Sequence, residues 1–90
     1  MELHRTLKIQ NGLGLHARAA AKIVELSNRF QSELFLGKND HEVDGKSILS
    51  ILTLSCPKGT EISVRIVGDD AEDFLEAVNR LFDQKFGEKE

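Results

Sequence analysis

Glu61-Ile62-Ser63-Val64-Arg65-Ile66-Val67-Gly68-Asp69-Asp70-Ala71-Glu72-Asp73-Phe74-Leu75 carries two hydrophobic periods in succession. Ile62, Val64 and Ile66 alternate with Glu61, Ser63 and Arg65. That is the period of a strand with one apolar face. After Gly68 the spacing changes, and Ala71, Phe74, Leu75, Val78, Leu81 and Phe82 recur at three- and four-residue intervals. This is the stripe of an amphipathic helix. Asp69 is read as its cap, with Glu72 three residues on completing a capping box. A strand with one apolar face has to be covered, and a neighbouring amphipathic helix supplies the cover.

The same alternation runs back toward the start. Leu3, Leu7 and Ile9 alternate with polar residues, interrupted at Arg5, and Asn11-Gly12 and Gly14 end the strand. A helix is expected from His16 to about Arg29, because Ala19, Ile23, Leu26 and Phe30 fall on one stripe. Leu34 and Leu36 face one way in a second strand; Gly37-Lys38-Asn39-Asp40 is a turn, and His41 to Val43 a short third strand. Ser47-Ile48-Leu49-Ser50-Ile51-Leu52-Thr53-Leu54 fits either a buried strand or a short helix. The helix is favoured, since Asp44-Gly45-Lys46 is a good turn and Ser47 a good N-cap. Cys56-Pro57-Lys58-Gly59 reads as a loop. The expected order is βαββαβα, an α+β domain with an antiparallel sheet covered on one side by helices. Asp83 to Glu90 reads as a solvated helix end, frayed from Gly87 onward.

Composition bounds the function. The 90 residues are 40% hydrophobic and 30% charged, an ordinary globular balance, and are read as one domain, 1–90. A domain of this size buries only roughly 60–65% of its unfolded surface, leaving little room for a deep substrate pocket. The net charge of -3 and the absence of Trp and Tyr argue against a nucleic-acid surface. The single cysteine, Cys56, excludes an internal disulfide. Met1 to Lys8 has no signal-peptide pattern, and no apolar run is long enough to span a bilayer. A cytoplasmic monomer without membrane insertion is therefore expected. His4, His41 and Cys56 lack metal-ligand spacing, so neither metal nor cofactor is expected. Gly12 and Gly14 lack the third glycine of a nucleotide-binding loop. Asp69-Asp70 and Glu72-Asp73 read as helix-start charges rather than a catalytic pair.

The chemistry concentrates at the start of the first helix. Helix N-termini present unpaired N–H groups and the positive end of the dipole, and so attract anions. Here Gly14, Leu15 and His16 stand where a Ser, Thr, Asp or Asn cap would be usual. A phosphoryl group on the His16 imidazole would have its oxygens beside the Ala17 and Arg18 amides. The Arg18 guanidinium is suited to the same oxygens. Spacing alone leaves the alternative open that His16 is a polar cap and Arg18 a solvated charge.

The segment Gly14-Leu15-His16-Ala17-Arg18-Ala19-Ala20-Ala21 closely resembles the active-site motif of HPr, the histidine-containing phosphocarrier family of bacterial phosphoenolpyruvate-dependent phosphotransferase systems. Val43-Asp44-Gly45-Lys46-Ser47-Ile48-Leu49 resembles the second motif of that family, around its regulatory serine. Both occur at the family's separation, and the likeness spans nearly the whole chain. The resemblance implies an open-faced β-sandwich, with a four-stranded antiparallel sheet under three helices. It implies that His16 takes a phosphoryl group on Nδ1 from enzyme I and passes it to an enzyme IIA, with Arg18 assisting. It also implies that Ser47 is the target of a kinase/phosphorylase. One departure stands out: Ala19 occupies the place where the family usually has proline after the arginine. Alanine keeps the helix and restores one N–H, which implies altered transfer rates rather than lost function. It leaves the branch of the family, sugar or nitrogen-regulatory, undecided.

Phosphoserine at a helix start adds charge where the dipole favours it, so the fold should survive modification of Ser47. The plain alternative is that Ser47 is only an N-cap. The helix after Ser47 carries more apolar residues than one buried stripe needs. At about 100° per residue, Ile51 and Leu54 lie on one side and Ile48, Leu49 and Leu52 on another. The second group is expected to form an exposed partner surface, extended by Ala17, Ala21 and Val24 of the first helix. Three functions compete: a phosphocarrier, a regulatory module acting through partner binding, and a small phosphatase-like enzyme. Against the last, no second general acid or base is apparent near His16.

Overall fold

The computed structural model describes residues Met1–Glu90. Its elements are β1 (Glu2–Lys8), α1 (Ala17–Ser27), β2 (Glu33–Lys38), β3 (His41–Asp44), α2 (Ile48–Leu52), β4 (Glu61–Val67) and α3 (Ala71–Asp83), followed by a 3-10 turn at Lys85–Gly87. The expected order is observed. The strands form one sheet, β1-β4-β2-β3, and every neighbouring pair is antiparallel. β4 sits between β1 and β2, pairing Leu3 with Ile66 on one side and Leu36 with Val64 on the other. Its alternation therefore puts Ile62, Val64 and Ile66 in the core, with Leu34 and Leu36 beside them. Ala19, Ala20 and Ile23 of α1, Ile51 of α2 and Phe74, Val78 and Phe82 of α3 close that face. The opposite face of the sheet carries no helix. There Arg65 lies over the Phe35 ring at 4.2 Å and pairs with Glu42 at 2.7 Å.

Three local expectations are corrected. Helix α1 ends at Ser27 rather than about Arg29. The Ser27 hydroxyl donates back to the Ile23 carbonyl at 2.8 Å, and Asn28 follows as C-cap. Both residues compete with the helical backbone for hydrogen bonds, so the helix stops there. Phe30 thus lies beyond the helix, where it stacks on Phe74 with centroids 4.6 Å apart.

The cap of α3 is Asp70, not Asp69, and its carboxylate does not bond the helix it opens. It accepts from the amides of Gln31 at 2.8 Å and Ser32 at 2.9 Å and from the Ser32 hydroxyl. These partners from another loop occupy the Asp70 carboxylate, and the hydrogen bonds from the Ser32 hydroxyl and the Gln31 and Ser32 amides hold it below the ordinary carboxylate range.

The largest correction is the tail. Lys85 and Phe86 both adopt left-handed backbone, with φ of 55 and 57°. That conformation costs roughly 1–2 kcal/mol per residue. In return the Phe86 ring is buried against Phe82, with centroids 5.0 Å apart, and such burial contributes roughly 1.5–3 kcal/mol. The Lys22 ammonium donates to the Phe86 carbonyl. The chain is thereby turned back toward α1, and Gly12 N–H donates to the Glu90 backbone oxygen at 2.6 Å. Residues read as a frayed, solvated end are docked.

Candidate functional site at the start of the first helix

The loop from Asn11 to His16 is shaped by one close approach. Gly14 has φ +70, and a Cβ there would stand 2.5 Å from the Cys56 carbonyl oxygen and 2.9 Å from Pro57 Cα. Only glycine fits. The next amide, Leu15 N–H, donates to the same Cys56 oxygen at 2.8 Å, and the Leu15 side chain is buried. This anchor brings His16 to the N-cap of α1 in extended backbone, φ -81 and ψ 179°.

The imidazole is 27% exposed and its two nitrogens face different partners. Nδ1 points at the helix start and accepts from Arg18 N–H at 3.3 Å, a long and weak contact. Nε2 lies 2.5 Å from Glu88 Oε2. The other oxygen of Glu88 accepts from Asn11 Nδ2 at 3.0 Å, and that amide also donates to the Gly14 carbonyl at 2.7 Å. Asn11 is fully buried, and its Oδ1 finds no donor. The hydrogen bond from His16 holds the Glu88 carboxyl below its ordinary range, helped by the Asn11 hydrogen bond and the Lys22 charge, against the cost of desolvation.

The amides of Ala17 and Ala19 have no backbone acceptor, whereas Ala20 N–H reaches the His16 carbonyl at 2.9 Å. Ala19 thus keeps an N–H that a proline would lack, in a residue that is itself buried. Arg18 is exposed and shares with Gly12, Lys22, Gly87 and Glu88 a shallow groove beside the ring. Chemically, this is a partly exposed imidazole whose Nδ1 faces the Arg18 N–H at the start of a helix, with a free guanidinium in the groove beside it.

Of the other sequence-derived residues, Ser47 is the N-cap of α2, its hydroxyl accepting from Ser50 N–H at 3.2 Å. Ile51 and Leu54 are buried, while Leu49 is 79% exposed and Ile48 lies at the surface beside it. Ala17 is exposed; Ala21, Val24 and Leu52 are half-buried. Helices α1 and α2 pack together, so these residues belong to neighbouring elements. Leu13, 72% exposed on the loop before His16, was absent from the expected surface. Glu88 and Asn11 were missed as neighbours of His16, and Phe86 was the one signal in the tail that could have found them. Cys56 is buried, and burial pushes its thiol up in pKa, which disfavours the thiolate.

Fold and site together describe an open-faced sandwich of one sheet and three helices whose partly exposed imidazole caps a helix. Residues 3–84 match the family model described as "PTS HPr component phosphorylation site". The chain belongs to the HPr family of phosphocarriers of the phosphotransferase system. It is 42% identical over 86 residues to the phosphocarrier protein HPr of Xylella fastidiosa (strain Temecula1), covering 96% of this chain and 97% of that one. It is 40% identical over 88 residues to the HPr of Neisseria meningitidis, covering 98% and 99%. The crystal structure of HPr-C-His from Thermoanaerobacter tengcongensis superposes with a TM-score of 0.93 at 35% identity, over 98% of this chain and 99% of that one. Crh of Bacillus subtilis, solved as a swapped dimer, is similar at 33% identity and TM-score 0.75, covering 88% and 91%.

Proposed function

We propose that His16 carries the phosphoryl group, on Nδ1, taking it from the phosphohistidine of an enzyme I and passing it to an enzyme IIA-type acceptor. The observation that supports this most is the direction of Nδ1, which faces the start of α1 with Arg18 N–H at 3.3 Å. A phosphoryl group there displaces that weak contact and meets the Arg18 amide together with the unpaired amide of exposed Ala17. The Arg18 side chain closes over the oxygens from the groove. Transfer is in-line between two imidazoles across a shared interface, so positioning rather than acid–base chemistry carries the rate. Ala17, Ala21, Val24, Ile48, Leu49 and Leu52 form the docking surface in this reading. The protein acts as a cytoplasmic monomer. Incubation with enzyme I and phosphoenolpyruvate should place an acid-labile, base-stable phosphate on the protein, and His16→Ala should abolish it. Equal labelling of that variant removes the proposal.

A second reading, regulation through Ser47, draws on its position as the cap of α2 next to the exposed Leu49 and Ile48. Phosphate added there by an HPr kinase/phosphorylase turns the edge of an apolar docking surface anionic while the helix dipole tolerates it. Partner sets that are the same for Ser47→Asp and Ser47→Ala in pull-downs would exclude such a switch.

A further inference from the structure

We propose that Glu88 is a positioning residue for phosphoryl transfer, holding the His16 ring with its proton on Nε2 and its lone pair on Nδ1. The proposal rests on the carrier reading of His16 and adds a residue to it from outside the family-matched segment, which ends at residue 84.

The geometry is assembled from several independent contacts. Buried Phe86 and the hydrogen bond from Lys22 to its carbonyl fix where the tail re-enters the groove. The Gly12 amide holds the tail two residues beyond Glu88. Between these anchors the Glu88 carboxylate bridges two donors, Asn11 Nδ2 at 3.0 Å on one oxygen and His16 Nε2 at 2.5 Å on the other. Its side chain is only 16% exposed. A carboxylate accepts and does not donate, so the ring nitrogen facing it must carry the hydrogen. The opposite nitrogen faces a backbone N–H, which can only donate, so Nδ1 must be bare. Both contacts select one tautomer, and it is the one whose bare nitrogen faces the Arg18 amide at the start of α1. A carboxylate that orients an imidazole through its far nitrogen is a general means of setting which nitrogen reacts.

The same contact serves during transfer. The Nδ1 lone pair forms the new P–N bond as the donor's P–N bond breaks and the donor imidazole takes back its electron pair. The Nε2 proton stays in place between His16 and Glu88. The His16 ring therefore gains positive charge while its Nε2 faces the Glu88 carboxylate. No proton has to move together with phosphorus.

The test combines tautomer and rate. Long-range 1H–15N NMR at a pH where the ring is neutral reads which nitrogen of His16 bears hydrogen. Rapid-quench transfer from phosphorylated enzyme I reads the rate. Wild type should show the Nε2–H tautomer almost alone. Glu88→Ala should give a mixture and slow acceptance about tenfold, the lower end of what loss of such a partner costs. Glu88→Gln, which keeps an acceptor oxygen without the charge, should restore the tautomer and part of the rate. An unchanged tautomer ratio in Glu88→Ala overturns the proposal, as does a changed ratio with an unchanged rate. Failure of wild type to take label at all overturns the carrier reading, and this proposal with it.

Discussion

Phe86→Ala tests whether the docked tail is held by one side chain. Phe86 is 1% exposed and packs against Phe82. Emptying such a site ordinarily costs roughly 3–5 kcal/mol. Part of that is returned, because releasing the tail relaxes the left-handed backbone of Lys85 and Phe86, worth roughly 1–2 kcal/mol each. The expected net loss is about 1 kcal/mol, or roughly 4–8 °C in melting temperature for a domain of this size. Urea unfolding gives the first number and a thermal melt the second. Hydrogen exchange supplies the local readout: the Gly12 amide, bonded to Glu90, should lose its protection while core amides of β4 keep theirs relative to the new global stability. A loss below about 0.5 kcal/mol would mean that Phe86 anchors nothing. Retained Gly12 protection would mean that the tail is held by other contacts, and either result refutes the reasoning.

Other substitutions probe the remaining links. Gly14→Ala should destabilise by about 3 kcal/mol in urea titrations, combining left-handed strain with a Cβ 2.5 Å from the Cys56 oxygen; it should also slow phosphorylation by displacing His16. Leu49→Asp should change stability by less than about 0.5 kcal/mol, because the side chain is 79% exposed, yet weaken binding to enzyme I in calorimetric titration. Acid should destabilise the fold in a defined window. Asp70 and Glu88 have folded pKa values below their ordinary 3.8 and 4.5, so their contribution is complete above those values and is lost as pH falls through the lowered ones. Urea midpoints measured from pH 6 downward should therefore fall less steeply in Asp70→Asn than in wild type.

The element order was legible because β4 and α3 each keep one hydrophobic period, while the ambiguous segment after Ser47 was decided by its turn and cap residues. Ile62, Val64 and Ile66 named the inner face of the central strand β4, and the stripe Phe74, Val78, Phe82 named the helix above it. His16 at the helix start was legible because Gly12 and Gly14 precede it where a standard cap is missing. The cap of α3 was not, since local pattern gives Asp69 and Glu72 the same standing as any capping box. Which aspartate is used depends on the amides of Gln31 and Ser32, brought from another loop. The end of α1 at Ser27 was missed because Phe30 continues the apolar stripe by spacing, although it packs from beyond the helix. Glu88 was missed for the strongest reason. Gly87, Lys89 and Glu90 around it are polar or glycine, and its partner lies 72 positions away in sequence. Its place follows from the burial of Phe86 and two consecutive left-handed residues, neither of which local periodicity encodes.

The carrier role of His16 turns on which atom of this protein receives phosphorus. A 31P–15N correlation spectrum of the 15N-labelled protein, recorded after charging by enzyme I and phosphoenolpyruvate, reads that atom directly. Coupling of phosphorus to Nδ1 of His16 is the predicted result. Coupling to Nε2, or to a nitrogen of His4 or His41, would contradict it.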